Sequence, residues 1–311
     1  MTMKKMLLPL VVPALLVGAL QPVRALRMPA APKCPVFPAN NVWNQRVDDL
    51  PVASRSRRIV RSIGRNDHVH ADFGSGRWEG GKIGIPITVV GRHQKRSKVR
   101  FQYASESDKG PYPIPKDVKI EGSRRSNGDR HAIIVDKARC KLYELFALYP
   151  RGPGRWRAGS GAIWDLRSNA LRPKGWTSAD AAGLPILPGL ARYDEVRRGK
   201  IDHALRFTVS ESRRRYIYPA RHFASDSNDP SLPPMGLRVR LKSGFKIAGY
   251  PKQARIVLTA LKRYGMIVAD NGSDWYISGA PHPKWDNDAL HSLHEVPGSA
   301  FEVVDTSSLR P

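Results

Sequence analysis

A chain of 311 residues is long enough to bury about three-quarters of the surface its unfolded form exposes, in one large core or two small ones. A hydrophobic content of 41% with 25% charged residues excludes both a polytopic membrane protein and a fully disordered chain. Lys and Arg number 52 against 27 Asp and Glu, a formal charge of +25 that predicts an anionic environment or partner.

Lys4 and Lys5 precede an almost wholly apolar run, Met6 to Leu20, and Val23-Arg24-Ala25 supplies a cleavage point. The run is shorter than the roughly 20 residues of a membrane span. Residues 1–25 therefore read as a secretory signal peptide, with a secreted or periplasmic mature chain and no transmembrane helix after its removal. Residues 26–50 are Pro-rich and aperiodic, an extended N-terminal arm, and 51–311 read as a single globular domain.

Within that domain, Ser54 to Gly64 predicts a short helix with Ile59, Val60 and Ile63 on one side. Strand-like texture begins at His68 and continues through Lys82 to Val90 and Val99 to Tyr103. His131 to Asp136 and Lys141 to Leu148 are apolar runs joined by a four-residue turn, a hairpin pattern. Residues 150–190 hold many Gly, Pro and Ala and read as a long ordered loop. Ala204 to Val209 and Arg215 to Tyr218 suggest a strand pair, and Leu237 to Leu241 alternates apolar and basic residues. Lys252 to Tyr264 carries the best helical stripe, Ala254, Val257, Leu258, Leu261 and Tyr264, and Gly265 ends it. Met266 to Ala269 and Trp275 to Ser278 flank a turn-like Asp270-Asn271-Gly272-Ser273-Asp274, predicting a second hairpin. Asp288 to Glu295 closes the pattern with a short helix. The expected class is α+β: a mostly antiparallel β-sheet, sandwich or barrel-like, with a few short helices.

The familiar fingerprints of serine hydrolases, nucleotide enzymes and zincins are absent, and no cofactor motif is present. A divalent metal is the one cofactor the sequence admits: in a strand, His68, His70 and Asp72 share one face at period two. The larger constellation is the loop bearing Trp164, Asp165, Trp176 and Asp180. Aromatic faces stack on pyranose rings, and paired carboxylates divide acid and base or nucleophile roles, as sugar cleavage requires. The preceding hairpin adds Asp129, His131 and Glu144. His203 reads as an acid or base oriented by a carboxylate, and Asp270 as a strand-end side chain facing a cleft. The basic residues are scattered, with no nucleic-acid motif to accompany them.

Cys34 and Cys140 are the two cysteines, and in an exported chain they most simply form one disulfide. The alternative, a Cys140 thiol activated by Lys137 and Arg139, stays open at this level.

The stretch from His131 through Glu302 resembles a family of uncharacterised secreted bacterial proteins. The resemblance rests on GSGAIWDLRSNALRP, GWTSADAAGLPILPGLARYDEV, IDHALRFTV, PPMGLRVRL and ADNGSDWYISGAP. It implies membership of that family and no particular activity, cofactor or catalytic residue.

The residues thus predict a secreted glycan-active hydrolase acting on a polysaccharide. Glu144 and Asp165 are the expected acid and base or nucleophile, supported by Asp180 and His203. Trp164 and Trp176 are the expected stacking platforms, with His131, Asp129 and Asp270 in contact with substrate. Two alternatives use other chemistry. One is a non-catalytic protein that binds carbohydrate or an anionic envelope polymer, and the other a metal-dependent hydrolase built on His68, His70 and Asp72.

Overall fold

The computed structural model describes residues 25–309, so most of the expected signal peptide lies outside the described residues. Helix α1 (Ser56–Gly64) forms where the sequence predicts it, burying Ile59, Val60 and Ile63 and leaving its arginines to solvent. It leads to β1 (His70–Asp72), a short ribbon of β2 (Arg77–Trp78) and β3 (Gly81–Lys82), then β4 (Ile87–Val90) and β5 (Lys98–Phe101). A long connection follows, and then the expected hairpin of β6 (Ala132–Asp136) and β7 (Lys141–Leu145). Strands β8 (Tyr149–Pro150), β9 (Arg155–Ala158) and β10 (Gly161–Asp165) occupy the first part of the segment read as loop. That correction has a simple cause: Trp156, Ala158, Ala162 and Trp164 alternate inward, a period-two signal masked by the surrounding glycines.

Helix α2 (Tyr193–Arg197) precedes β11 (Leu205–Val209) and β12 (Arg238–Leu241). Helix α3 (Lys252–Arg263) then presents its stripe to the core. Gly265 ends α3 at φ +65°, where an added Cβ would lie 2.2 Å from the Val239 carbonyl oxygen, so only glycine fits. The chain finishes with β13 (Met266–Asn271), β14 (Tyr276–Ser278), α4 (Asn287–His291) and β15 (Phe301–Val303).

The fold is α+β, with antiparallel-rich sheets that are open. The larger has six strands in the order β1-β14-β11-β13-β12-β15, and the smaller has four, β10-β7-β6-β4. Three strands, β5-β9-β8, make a further small sheet. Two expected pairings do not form. Strand β11 inserts between β13 and β14, antiparallel to β14 and parallel to β13, so 266–278 is a split pair and not a hairpin. The loop arches over the end of β11, where Asp274 accepts hydrogen bonds from the Ser210 amide and hydroxyl at 2.7 Å each. Arg215 to Tyr218 makes only an isolated bridge, Tyr216 with Met235, because Pro219 and Pro233 lack the amide hydrogens that would extend the pairing to either side.

The main core lies on the side of the six-stranded sheet that faces α1 and α3, built on Phe207, Val268 and Ile277. The four-stranded sheet is covered on both faces. Ile133, Val135, Leu142 and Trp164 face one cluster, and Ala132, Ile134, Tyr143 and Leu145 the other. The N-terminal arm is packed rather than loose. Its Trp43 and Val47 are buried in the main core, and its carbonyls are collected by two arginines. Arg238 donates to the carbonyls of Val42 and Gln45 at 2.9 and 2.8 Å, and Arg240 donates to those of Val47, Asp48 and Leu50. Cys34 and Cys140 form a disulfide that anchors the arm to the β6–β7 turn, which leaves no thiol for catalysis among the described residues.

Candidate active-site cleft

The face of the six-stranded sheet turned away from the main core is polar. Register places His70, Tyr276 and Thr208 in one row, with Asp72, Ser278 and Arg206 in the next. A bulge on β13 extends the polar face. Phe207 pairs with Val268 but Thr208 pairs with Asp270, so the chain skips Ala269. Without that extra residue Asp270 would share the buried side of Phe207; with it, the carboxylate turns to Arg206 at 3.2 Å.

Opposite this face stands the connection from Ser123 to Arg130, shaped by a buried arginine. Arg130 donates to the carbonyls of Ser123, Arg124 and Ser126 at 3.1, 2.8 and 2.7 Å, and through Nε and Nη2 to Leu148. Between the two walls lies a cleft of about 730 Å³, within the usual range for small-molecule sites. Asp72, Glu121, His70, His294, Tyr276 and Trp78 line it. Trp78, on the β2–β3 ribbon, is 73% exposed and lines the cleft with its ring open to solvent.

The carboxylates of the cleft are pushed in opposite directions. Asp72 is open to solvent at the cleft, yet the protein walls around it, and then the negative charge of Glu121, push it above the ordinary carboxylate range. Glu121 is held below its ordinary value: burial opposes this, but the charge of His131 and its hydrogen bonds prevail. His131 Nδ1 donates to Glu121 Oε2 at 2.6 Å, and its Nε2 donates to the Ala179 carbonyl at 3.0 Å. Both ring nitrogens therefore face acceptors, and despite burial His131 is raised to about 9. On the other side His70 Nδ1 lies 2.6 Å from His294 Nε2, its ring stacked on Tyr276 at 4.2 Å; burial first, and the charge of His291 in addition, lowers His70.

Among the described residues, Glu121, Asp129 and His131 bring donor atoms within 4.8 Å of one another, close enough to be considered for a metal ion. The fit is poor. A first-row ion bound by both Glu121 and His131 at about 2 Å each would hold N and O apart by more than the 2.6 Å seen here, a proton-sharing distance. His68, His70 and Asp72 are not brought together either. His68 is exposed and bridges to Pro297, while His70 is engaged by His294.

Several sequence-predicted residues serve structure. Glu144 is wholly buried, its carboxylate accepting the amides of Ile186 and Leu187 at 2.9 Å, and burial raises it to about 7. Asp165 pairs with Lys141 at 2.9 Å on the protein surface. The register sets Glu144 opposite Ala162, an odd number of residues from Asp165, so the two carboxylates project from opposite faces of the sheet. They cannot act as a pair. Trp164 packs edge-on against Phe37 in the core, and Trp164 and Trp176 lie 5.7 and 5.5 Å from Arg172, the ion-pair partner of Asp108. His203 is buried against Glu195 at 3.1 Å, which also binds Arg192.

Asp180 and Asp270 converge on Arg206. Asp180 accepts from Nε and Nη2 at 2.8 and 2.7 Å, and Arg206 reaches Ser278 with its remaining amino group. Burial, and then Asp180, raises Asp270 to about 7. Of the expected set, Asp72 and His70 line the cleft, Asp129 and the buried His131 stand beside its Glu121, and Asp180 and Asp270 meet at Arg206. Glu121, Arg206, Tyr276 and Trp78 were not singled out from sequence. The available signal was the long connection between β5 and β6, since loops of that length in a packed domain are often functional.

No protein-family model, curated protein or solved structure matches this chain. The functional reading therefore rests on the cleft. Across the described residues no helix is long and apolar enough to cross a membrane.

Proposed function

We propose that the protein is a secreted or periplasmic glycan-active hydrolase whose bond-cleaving site is the cleft between β1 and the 121–131 segment. What supports it is geometric: the two walls of one cleft each supply a carboxylate, Asp72 and Glu121, with the exposed Trp78 indole lining the same space, and the two acids are shifted in opposite directions. A raised carboxyl and a lowered one in one cleft divide naturally into general acid and base or nucleophile. Asp72 takes the acid role and Glu121 the base or nucleophile role. His131 holds Glu121 ionised, and Trp78 and Tyr276 offer ring faces to the sugar. The disulfide supports an oxidising location, and the resemblance to secreted bacterial proteins agrees with export.

Purified protein incubated with a panel of neutral and acidic polysaccharides is expected to release new reducing ends. Asp72→Asn and Glu121→Gln are each expected to lower that rate by about 100-fold or more while thermal unfolding stays cooperative. Binding without release from any glycan would favour the non-catalytic carbohydrate-binding reading. Stoichiometric metal in the purified protein, with activity lost on chelation, would move the chemistry to a metal-dependent hydrolase.

A further inference from the structure

Away from the cleft, the small sheet β5-β9-β8 carries an arrangement that its own stability does not explain. Lys98 pairs with Arg155 and Arg100 with Arg157, directly opposite across parallel strands. All four are exposed, whereas Val99, Trp156, Phe101 and Ala158 on the other face pack inward. Like charges directly opposite in a sheet are destabilising. No carboxylate relieves them: among the described residues, none of the four takes part in an ion pair within 4.0 Å. Arg151 joins Arg100, Arg155 and Arg157 around a concavity of about 1090 Å³ that shares no lining residue with the cleft. One of these cations is already positioned, because the Arg157 guanidinium lies 4.6 Å from the Tyr149 ring centre.

We propose that this face is a second binding site, which holds a strand of acidic, uronate-bearing polysaccharide along the ladder of cations. The guanidinium fork matches a planar carboxylate in two parallel hydrogen bonds, and successive forks along a strand meet successive carboxylates of a polymer. Single-stranded nucleic acid fits less well, because its bases need free aromatic faces. Tyr149 is already engaged by Arg157 and Arg130, Trp156 is buried, and Phe101 packs against Tyr112. The inference stands independently of cleavage in the cleft and supplies a way of retaining the enzyme on its polymer.

Affinity electrophoresis of the full chain through gels containing sodium polygalacturonate, dextran or double-stranded DNA tests it. Polygalacturonate is expected to retard the protein and dextran to leave it unaffected. The double variant Arg100→Ser/Arg155→Ser is expected to weaken polygalacturonate binding by about tenfold or more. The same variant should keep or raise the melting temperature, since repulsion is relieved. Unchanged binding by the double variant would overturn the proposal. Equal retardation by DNA with the same loss in the variant would overturn the assignment to polysaccharide.

Discussion

Both ring nitrogens of His131 end on acceptors, and this one residue makes the pH response of the molecule predictable. Its folded pKa near 9 lies above its ordinary value, so its contribution to stability is complete below about pH 6.5 and is lost as pH rises through 9. Glu144, raised to about 7 by burial, works in the same direction, its contribution complete below about pH 4.5 and lost as pH rises through 7. Glu121 is lowered, so its contribution is present above about pH 4.5 and lost as pH falls below that value. Stability should therefore peak in mildly acidic solution and decline toward pH 9, with His131 alone accounting for roughly 3 kcal/mol. Urea midpoints at pH 5.5 and pH 8.5 should differ accordingly, and His131→Gln should flatten the alkaline decline. Equal midpoints in the unmodified protein would contradict the ion-pair description.

Strands β11, β13 and β14 form the element on which the cleft floor depends, and Arg206 is the residue that joins them. Its guanidinium meets Asp180, Asp270 and Ser278 at once, all at least partly removed from water. Arg206→Met would leave the Asp180 charge buried without a partner, at a cost of about 3–5 kcal/mol. Adding Asp180→Leu should recover part of that loss, because a buried pair is worth far less than the penalty of stranding one member. Denaturation curves of the single and double variants decide this. A double variant no better than the single one would mean that Asp180 contributes chiefly through its backbone turn. The opposite wall depends on Arg130 in a similar way, since no other side chain in the 121–131 segment reaches three of its carbonyls.

At the scale of the whole molecule, the disulfide closes a loop spanning 106 positions, and the arm it anchors packs across two of the three cores. Chain-entropy reasoning gives such a crosslink up to about 4–5 kcal/mol. The variant Cys34→Ala/Cys140→Ala is expected to melt at lower temperature than the parent, and titration of the unfolded, unreduced parent should find no reactive thiol. An unchanged melting temperature would show that the packing of Trp43 and Val47, with Arg238 and Arg240 on the arm carbonyls, holds the arm without the bridge.

Local patterns were legible from the amino-acid order alone. The stripes of α1 and α3, the glycine that ends α3, the β6–β7 hairpin and the pairing of two cysteines follow from periodicity, turn chemistry and composition, which act between near neighbours or admit one partner. Long-range pairing was not legible. That β11 separates β13 from β14, and that β1 lies parallel to β14, depends on which edges meet after collapse, and nothing between residues 266 and 278 encodes it. The candidate site failed for the same reason. Glu144 and Asp165 are close in sequence yet point to opposite sides of one sheet, whereas Asp72 and Glu121, far apart in sequence, line one cleft. Sequence by itself determined the class of fold and the basic character, and it offered the two cysteines a single partner each, a pairing that the structure completes. Tertiary structure alone decided which carboxylates meet, because burial, register and the β13 bulge set the direction and acidity of a side chain only once distant strands are paired.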